Sequence, residues 1–275
     1  MLLKNTLGVM GVGVIGALMA IAPVQAETVL ERVARTGELR AATRADAVPF
    51  GFETPDGALG GYGVALIGLI GTKIAEKNCK PLAVELTTVT LTNRFEAIAA
   101  GEVDIICEAT TITQERLETV DFSVPFFISG AKFLIKQEAA DNFNVNGSLE
   151  GVPIAYIAGT TTFEIIPKIY PLAKWVPVTD RQTGIEQLDG GQVTAVASDG
   201  ILLVGELIKQ GKNPKDYALG PYQPMTTELY ACMLPKGDAA WKRFVDEAIA
   251  SEENHDLLEE WFNLDQQNVV RVDPR

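Results

Sequence analysis

The sequence contains a single histidine, His255, and only three cysteines among its 275 residues. Histidine is the general base of Ser-His-Asp and Cys-His enzymes and a frequent ligand of transition metals. His255 lies in a polar run near the C-terminus, and no cluster of residues has the spacing of metal ligands. The sequence therefore argues against a triad hydrolase and a metalloenzyme, and we predict no metal site and no cofactor.

Positive charge is also scarce, because 23 Lys and Arg residues face 36 Asp and Glu residues. Residues 1–26 contribute only Lys4, so the chain from residue 27 onward has a formal net charge of 22 − 36 = −14. Such a surface repels nucleic acids and anionic lipids, and we expect no nucleic-acid partner. An anionic ligand would require arginines concentrated in a cleft.

Long apolar runs are absent beyond the first 26 residues. The run from Leu7 to Ala22 is shorter than the roughly 20 residues that span a membrane, and Pro23-Val24-Gln25-Ala26 follows it. We predict a secretory signal at residues 1–26, cleaved after Ala26, with an uncleaved anchor as the alternative. The G-x-G-x-x-G match at residues 11–16 falls within this signal, so it does not indicate a dinucleotide site.

From Leu39 onward, short apolar strands alternate with amphipathic helices, which is typical of βαβ units and a mainly parallel sheet. We predict strands at 39–43, 83–89, 103–107, 132–136, 152–157, 175–178, 194–198 and 229–234, and helices at 64–76, 93–100, 114–120, 184–188, 201–210, 239–250 and 255–262, with a further helix opening near Thr161. Pro125-Phe126-Phe127 separates two such series. A chain of about 249 residues exceeds the usual size of one domain. We therefore predict an α/β fold of two lobes, in which 27–127 and 229–275 form lobe 1 and 128–228 form lobe 2.

The three cysteines of an exported chain favour one disulfide and one free thiol. Cys107 and Cys232 lie in apolar, strand-like runs, whereas Cys79 lies in the polar run Lys77-Asn78-Cys79-Lys80. We therefore predict a Cys107–Cys232 bridge.

A hydroxyl-rich loop follows the strand that ends at Cys107 and leads to Arg116 on the opening turn of a helix. A guanidinium offers two parallel donors to a planar carboxylate, Thr111 adds a hydroxyl, and a helix N-terminus adds partial positive charge. The loop therefore indicates a site for a small ligand with a carboxylate. The alternative is that Arg116 pairs with Glu115 or Glu118 on a solvated face.

Several stretches together resemble a known family. They are Val48-Pro49-Phe50-Gly51-Phe52, Gly60-Gly61-Tyr62-Gly63-Val64, Asn93-Arg94-Phe95, Thr-Ile-Thr-x-x-Arg, Val120-Asp121-Phe122-Ser123, Gly159-Thr160-Thr161 and Glu259-Glu260-Trp261-Phe262. In their order and spacing the chain resembles the extracellular solute-binding proteins, family 3, of polar amino-acid ABC importers. The resemblance implies a type II periplasmic-binding-protein clamp hinged by two crossings, a periplasmic location, a monomer, an amino-acid ligand and a membrane permease as partner.

The resemblance also implies roles for individual residues. Arg116 would bind the ligand's α-carboxylate with the help of Thr111, and Ala109 of the same loop would also contact the ligand. The loop Gly159-Thr160-Thr161 would donate hydrogen bonds as the lobes close, and Asp199 would bind the α-ammonium. An ammonium removed from water needs such a polar partner. The alternative for Asp199 is that it caps the helix from Ile201.

Three further arginines stand at or near positions that match the family's site: Arg44, Arg94 and Arg181. The glutamate/aspartate-binding branch is the most similar in this respect and in its cysteines. Ala47 and Leu91 stand where many members place an aromatic residue, which disfavours a flat ligand side chain. Buried, unpaired arginines are unfavourable, and a ligand side-chain carboxylate would neutralise them.

Neighbouring carboxylates leave an alternative open for each arginine. Arg44 would pair with Asp46, Arg94 with Glu96 and Arg181 with Asp180, all on the surface. Glu108 departs from the family pattern, and it either repels an acidic ligand or neutralises an arginine from behind the strand. It is also the one carboxylate placed for acid–base catalysis, so a dehydratase-like enzyme is one alternative function and a transporter-independent sensor is another.

Overall fold

The structure is a computed structural model that describes residues 27–262. The predicted signal at 1–26, the motif at 11–16 and the last residues of predicted lobe 1, 263–275, lie outside the described residues. Within 27–262, no helix has both the length and the apolar composition that crossing a membrane requires.

The first part of the chain, up to residue 129, contains α1 (Val29–Thr36), β1 (Glu38–Thr43), β2 (Asp46–Ala47), β3 (Gly51–Glu53), β4 (Leu59–Gly60), α2 (Tyr62–Asn78), β5 (Ala83–Thr88), α3 (Arg94–Ala99), β6 (Ile105–Ile106), α4 (Arg116–Thr119), β7 (Asp121–Phe122) and β8 (Phe127–Ser129). The middle part contains β9 (Ala131–Lys136), β10 (Pro153–Ile157), α5 (Thr161–Ile169), β11 (Lys174–Val178), α6 (Arg181–Asp189), β12 (Ala195–Asp199), α7 (Gly200–Lys209) and β13 (Tyr217–Gly220), with 3-10 turns at Gln137–Asn142 and Pro214–Asp216. The last part contains β14 (Glu228–Tyr230), β15 (Met233–Leu234), α8 (Ala239–Ile249) and α9 (Glu252–Phe262).

Two five-stranded sheets organise these elements, with strand orders β5-β1-β6-β15-β7 and β11-β10-β12-β9-β13. In the first sheet only β15 runs antiparallel to the other four strands, and in the second only β9 does. The predicted α/β clamp with two mainly parallel sheets is thus confirmed. We call the units that carry these sheets lobe 1 and lobe 2.

The chain crosses between the lobes along a two-stranded ribbon formed by β8 and β14, with Glu228 opposite Ser129 and Tyr230 opposite Phe127. The predicted lobe boundaries, 127/128 and 228/229, fall within this ribbon. Apolar helix faces cover the sheets: α2, for example, buries Leu66, Ile70 and Ile74 at helical spacing in the core of lobe 1.

Some predicted elements are wrong in extent. The predicted strand 229–234 is two strands, because the chain leaves the ribbon after Tyr230 and enters the lobe 1 sheet at Met233. The predicted helix 114–120 is the single turn α4, whose first amide already binds the Thr113 hydroxyl at 3.2 Å. One turn supplies little dipole for an anion. The sequence analysis also missed the small sheet β2-β3-β4 and helix α1, although Thr28 and Glu31 form a capping box there.

A disulfide joins Cys107 to Cys232, which confirms the predicted pairing, and Cys79 is an exposed free cysteine. The bridge links residues 125 positions apart. Both half-cystines are buried in the core of lobe 1. The bridge therefore anchors β15 beside the loop that carries Glu108 and Thr111.

We expect the double variant Cys107→Ala/Cys232→Ala to lose about 4–5 kcal/mol of unfolding free energy, because the bridge restricts a long loop of the unfolded chain. For a protein of this size the melting temperature should fall by about 10 °C or more. Calorimetric melting of the double variant beside Cys79→Ala, which removes only the free thiol, measures the effect. Equal melting temperatures in the two variants would contradict it.

Candidate ligand-binding cleft

A cleft lies between the lobes. Its lining includes residues of both lobes: Arg44, Leu91, Arg94, Ala109, Thr111, Arg116, Thr160, Thr161, Thr162, Arg181, Ser198, Asp199 and Leu202. Eight of the nine predicted site residues are in this lining. The ninth, Gly159, is exposed outside it, where its φ of +73° turns the chain before α5.

The ends of parallel strands bring these residues together. Arg44 follows β1, the loop of Ala109 and Thr111 follows β6, and Asp199 ends β12. Thr161 and Arg181 are the first residues of α5 and α6, which follow β10 and β11. Ligands of open α/β sheets bind at such carboxyl ends. The fold therefore concentrates four arginines in one cleft of an acidic protein.

Glu108 lies between two of those arginines, Arg44 and Arg94, and outside the cleft lining. Its Oε1 accepts from Arg94 Nη1 at 2.7 Å, and its Oε2 accepts from Arg44 Nη1 at 3.4 Å. The Thr110 hydroxyl donates to Glu108 as well. Burial would raise the pKa of Glu108, but the charges of Arg94 and then Arg44 outweigh it, so the pKa lies below its ordinary value. Glu108 is thus an ionised carboxylate that neutralises cleft arginines from behind.

Arg44 has a second partner. It donates to Asp46 from Nε at 2.8 Å and from Nη2 at 2.6 Å. Burial alone would lower the pKa of Arg44, but the charges of Glu108 and Asp46 raise it. The Arg44–Asp46 pairing suggested by the sequence is therefore confirmed, although Arg44 is buried and not on the surface.

Arg116 and Arg181 differ from the first pair of arginines, because no carboxylate of residues 27–262 lies within 4.0 Å of either guanidinium. Arg116 Nη1 donates to the Thr111 carbonyl at 2.8 Å, and Arg181 Nε donates to the Ser198 hydroxyl at 3.0 Å. Burial lowers the pKa of both guanidiniums, followed by repulsion from Arg94 at Arg116 and from Arg44 at Arg181. Neither guanidinium therefore forms a salt bridge within the described chain, although the charges of Asp46 and Asp199 act on Arg181 at longer range.

The other pairings that the sequence suggested are wrong. Arg94 binds Glu108 and not Glu96, Arg116 binds neither Glu115 nor Glu118, and Arg181 does not bind Asp180. Asp180 instead caps α6, since its Oδ1 accepts from the Thr183 amide at 2.7 Å.

Asp199 is buried at the end of β12, and only one of its two carboxylate oxygens accepts a hydrogen bond from the described residues. The Tyr230 hydroxyl donates to Oδ2, whereas Oδ1 is buried without any hydrogen-bond partner among the described residues. Burial and the nearby charge of Glu228 raise the pKa of Asp199 to about 6, against the hydrogen bond from Tyr230. Asp199 precedes α7, but its side chain makes no capping hydrogen bond, so the capping alternative is wrong. A buried carboxylate oxygen without a donor is suited to an ammonium.

The lobes contact one another across this cleft. Arg181 Nη1 of lobe 2 donates to the Asp46 carbonyl of lobe 1 at 3.3 Å. At Gly205 of α7 an added Cβ would lie 2.3 Å from the Val48 carbonyl oxygen, so glycine permits the close approach of the lobes there. The structure is therefore a closed arrangement, with the cleft enclosed from both sides.

Sequence reasoning missed two residues of the connecting ribbon that hold lobe 2 groups. Glu228 Oε2 accepts from the Thr161 hydroxyl at 2.9 Å, and the Tyr230 hydroxyl donates to Asp199. Tyr230 lies two residues before Cys232, one of the two cysteines that the chain shares with the glutamate/aspartate-binding branch, and could have been found through it. Glu228 carries no comparable signal, because its contact with Thr161 spans 67 positions.

Residues 39–264 match the model of the bacterial extracellular solute-binding proteins, family 3. The chain is 32% identical over 262 residues to the L-glutamate/L-aspartate-binding protein of Pseudomonas aeruginosa, covering 90% of this chain and 85% of that one. It is also 27% identical over 247 residues to the cyclohexadienyl dehydratase of Pseudomonas aeruginosa, covering 88% of each. The crystal structure of the ancestral amino acid-binding protein AncCDT-1, a precursor of cyclohexadienyl dehydratase, superimposes with a TM-score of 0.72 at 23% identity, covering 86% of this chain and 99% of that one.

Proposed function

The chain belongs to the bacterial extracellular solute-binding proteins of family 3, and we propose that within this family it captures an acidic L-amino acid, glutamate or aspartate. The amino acid is bound between the lobes, the hinge closes over it, and the closed complex delivers it to the membrane permease of an ABC importer. The protein acts as a monomer in the periplasm after removal of its signal.

The observation that carries this proposal is the set of charges left without partners in the cleft. Within residues 27–262, neither Arg116 nor Arg181 forms a salt bridge, and Asp199 Oδ1 accepts no hydrogen bond. Two cations and one anion are the complement of two carboxylates and one ammonium, which is the charge pattern of glutamate and aspartate. A neutral amino acid would leave one buried guanidinium unpaired, which is unfavourable by several kcal/mol as an order of magnitude.

Each lobe contributes part of this complement. Arg116 and Thr111 of lobe 1 bind the α-carboxylate, while Asp199 of lobe 2 binds the α-ammonium and Arg181 the side-chain carboxylate. A ligand bound to both lobes makes contacts in the closed state that it cannot make in the open one. It therefore stabilises closure by the free energy of those extra contacts.

The similarity to an L-glutamate/L-aspartate-binding protein supports this ligand. The similarity to a cyclohexadienyl dehydratase makes an enzyme the second candidate. The sequence suggested Glu108 as a general acid or base. Glu108 is ionised, so it has no proton to donate near neutral pH, and its oxygens already accept hydrogen bonds from Arg94, Arg44 and Thr110, which disfavours it as a base. We therefore favour binding without turnover.

A thermal-shift screen of residues 27–275 against the amino acids and simple dicarboxylates tests the proposal. A ligand at about 100 times its dissociation constant adds roughly 2.7 kcal/mol, so we expect glutamate or aspartate to raise the melting temperature by about 5–10 °C. Calorimetry should then confirm that the ligand binds, and chromatography of the mixture should recover the ligand unchanged. No shift with either amino acid would refute the proposed ligand, and recovery of an altered product would identify an enzyme.

Arg181→Gln should remove the preference for acidic ligands. We expect glutamate or aspartate to bind about 10- to 100-fold more weakly, because a charged hydrogen bond in a buried site is lost, while glutamine or asparagine binds no more weakly than before. The exposed Lys174→Gln makes the same change of net charge in lobe 2 and serves as the control. Calorimetric dissociation constants for both ligand types measure the effect. Equal losses for acidic and amide ligands would show that Arg181 does not contact the side chain.

A further inference from the structure

We propose that Glu108 is an internal counter-ion that sets the charge of the ligand: its carboxylate engages Arg44 and Arg94 and thereby limits the cleft to ligands with one side-chain carboxylate. The inference rests on the proposed function. It assigns the limit of one side-chain carboxylate to a residue outside the cleft lining, while Arg181 remains the residue that binds that carboxylate.

The contacts of Glu108 resemble those that a ligand carboxylate would make. One oxygen faces Arg94 at 2.7 Å and the other faces Arg44 at 3.4 Å, and Glu108 is wholly buried. Both arginines line the cleft, whereas Glu108 reaches them from the loop that follows β6. Arg94 is therefore directed at the protein's own carboxylate, while its Nε is buried and has no hydrogen-bond partner among the described residues. Without Glu108, Arg94 would be a third cation available to a ligand.

Glu108, Arg44 and Arg94 form a triad of one carboxylate and two arginines. Lobe 1 contains a second triad of this type, and the comparison shows how the triad of Glu108 differs. Asp104 is buried and binds Arg32 on one oxygen and Arg40 on both. None of these three residues lines the cleft. A buried carboxylate between two arginines is thus compatible with a purely structural role. The triad of Glu108 differs because its arginines face the ligand.

The two triads provide a matched pair of variants. Glu108→Gln and Asp104→Asn each remove one buried negative charge that binds two arginines of lobe 1, and only the first releases a cation into the cleft. The probes are glutamate and γ-carboxyglutamate, an amino acid with one additional side-chain carboxylate. Calorimetry gives the ratio of their dissociation constants in the wild type and in both variants.

We expect the wild type to bind γ-carboxyglutamate more weakly than glutamate. Glu108→Gln should change the ratio of the two dissociation constants in favour of γ-carboxyglutamate by roughly tenfold or more, because one unit charge a few ångströms from the ligand has an effect of at least that size. Asp104→Asn should keep the wild-type ratio even if its melting temperature falls. Equal ratios in Glu108→Gln and Asp104→Asn would overturn the inference, because a structural role predicts loss of stability without a change of preference.

Two further results distinguish failure of the proposed function from failure of this inference. If the wild type binds neither glutamate nor aspartate, both are refuted. If the wild type binds them but Glu108→Gln has the same ratio of dissociation constants for glutamate and γ-carboxyglutamate as the wild type, only the inference is refuted. If Glu108→Gln does not fold, Glu108→Ala prepared with formate replaces it, since formate can supply the missing carboxylate. Formate should then restore discrimination against γ-carboxyglutamate, and a ratio that formate does not change would overturn the inference.

Discussion

Replacing Arg116 with glutamine is expected to weaken the binding of every amino acid, acidic or neutral, by roughly 30-fold to several thousand-fold. The guanidinium is half-buried, has no carboxylate partner within the described chain and is held by the Thr111 carbonyl at 2.8 Å. An α-carboxylate is common to all amino acids, so the loss does not depend on the side chain. Loss of one partner of a buried, hydrogen-bonded charge pair weakens binding by about 2–5 kcal/mol, or roughly 30-fold to several thousand-fold.

Arg116→Gln should weaken ligand binding but should not lower the stability of the ligand-free protein. Burial and the charge of Arg94 both lower the pKa of Arg116, which means that the empty cleft disfavours its charge. Glutamine removes that unfavourable charge, so the melting temperature without ligand should be equal to or higher than that of the wild type. The rise that glutamate produces in the wild type should be absent.

Arg243→Gln is the matched control for this variant, because Arg243 is an exposed arginine of lobe 1 outside the cleft. It should retain the dissociation constants of the wild type, measured by calorimetry for glutamate and glutamine. If Arg116→Gln weakened glutamate strongly but left glutamine unchanged, Arg116 would be the reader of the side chain and not of the α-carboxylate.

The fold could be predicted from the sequence because its signals are local. Alternating strands and helices, and the interruption at Pro125, give two α/β lobes, and the ends of the strands give the edge where Arg44, Thr111 and Asp199 meet. Strand 229–234 was predicted as one element because an apolar run does not reveal that the chain changes sheets at Ala231–Cys232.

Ion pairing could not be predicted in the same way, because it depends on tertiary distance. Arg94 forms no salt bridge with Glu96, two positions away, but binds Glu108, 14 positions away. Tyr230 reaches Asp199 across 31 positions. Most residues of the cleft could therefore be predicted from the sequence, but the difference between arginines with and without a salt bridge, on which the ligand's charge depends, could not.

Asp199→Asn should weaken all amino acids by about 100-fold or more, because the ammonium loses the charge of the carboxylate that binds it in a buried site. A dicarboxylate without an ammonium should bind no more weakly than it does to the wild type. The exposed Asp216→Asn changes the net charge of lobe 2 equally and should leave both ligands unaffected. If glutarate outcompetes glutamate in the wild type, Asp199 does not bind an ammonium.

The pH dependence of binding follows from the same residue. The pKa of Asp199 is raised to about 6 by burial and by Glu228, against the hydrogen bond from Tyr230 and the charge of Arg181. An ammonium requires the ionised form, so the affinity for glutamate should be constant above about pH 7 and should fall by up to about tenfold per pH unit below 6. The side chain of glutamate itself begins to protonate only near its ordinary pKa of about 4.3, which leaves a clear window between pH 4.5 and 6.

Between pH 4.5 and 6, the contribution of Asp199 to the stability of the ligand-free protein should increase as the pH falls, whereas the affinity for glutamate should decrease. A carboxyl whose pKa is higher in the folded than in the unfolded chain stabilises the fold in its protonated form, so this contribution is present at low pH and is lost as the pH rises through 6. Melting temperatures of the wild type minus those of Asp199→Asn, without ligand, should therefore increase as the pH falls from 7 to 4.5, while the shift caused by glutamate shrinks. A glutamate affinity that stays constant from pH 7 to 4.5 would show that Asp199 is already ionised throughout, or that the ammonium binds elsewhere.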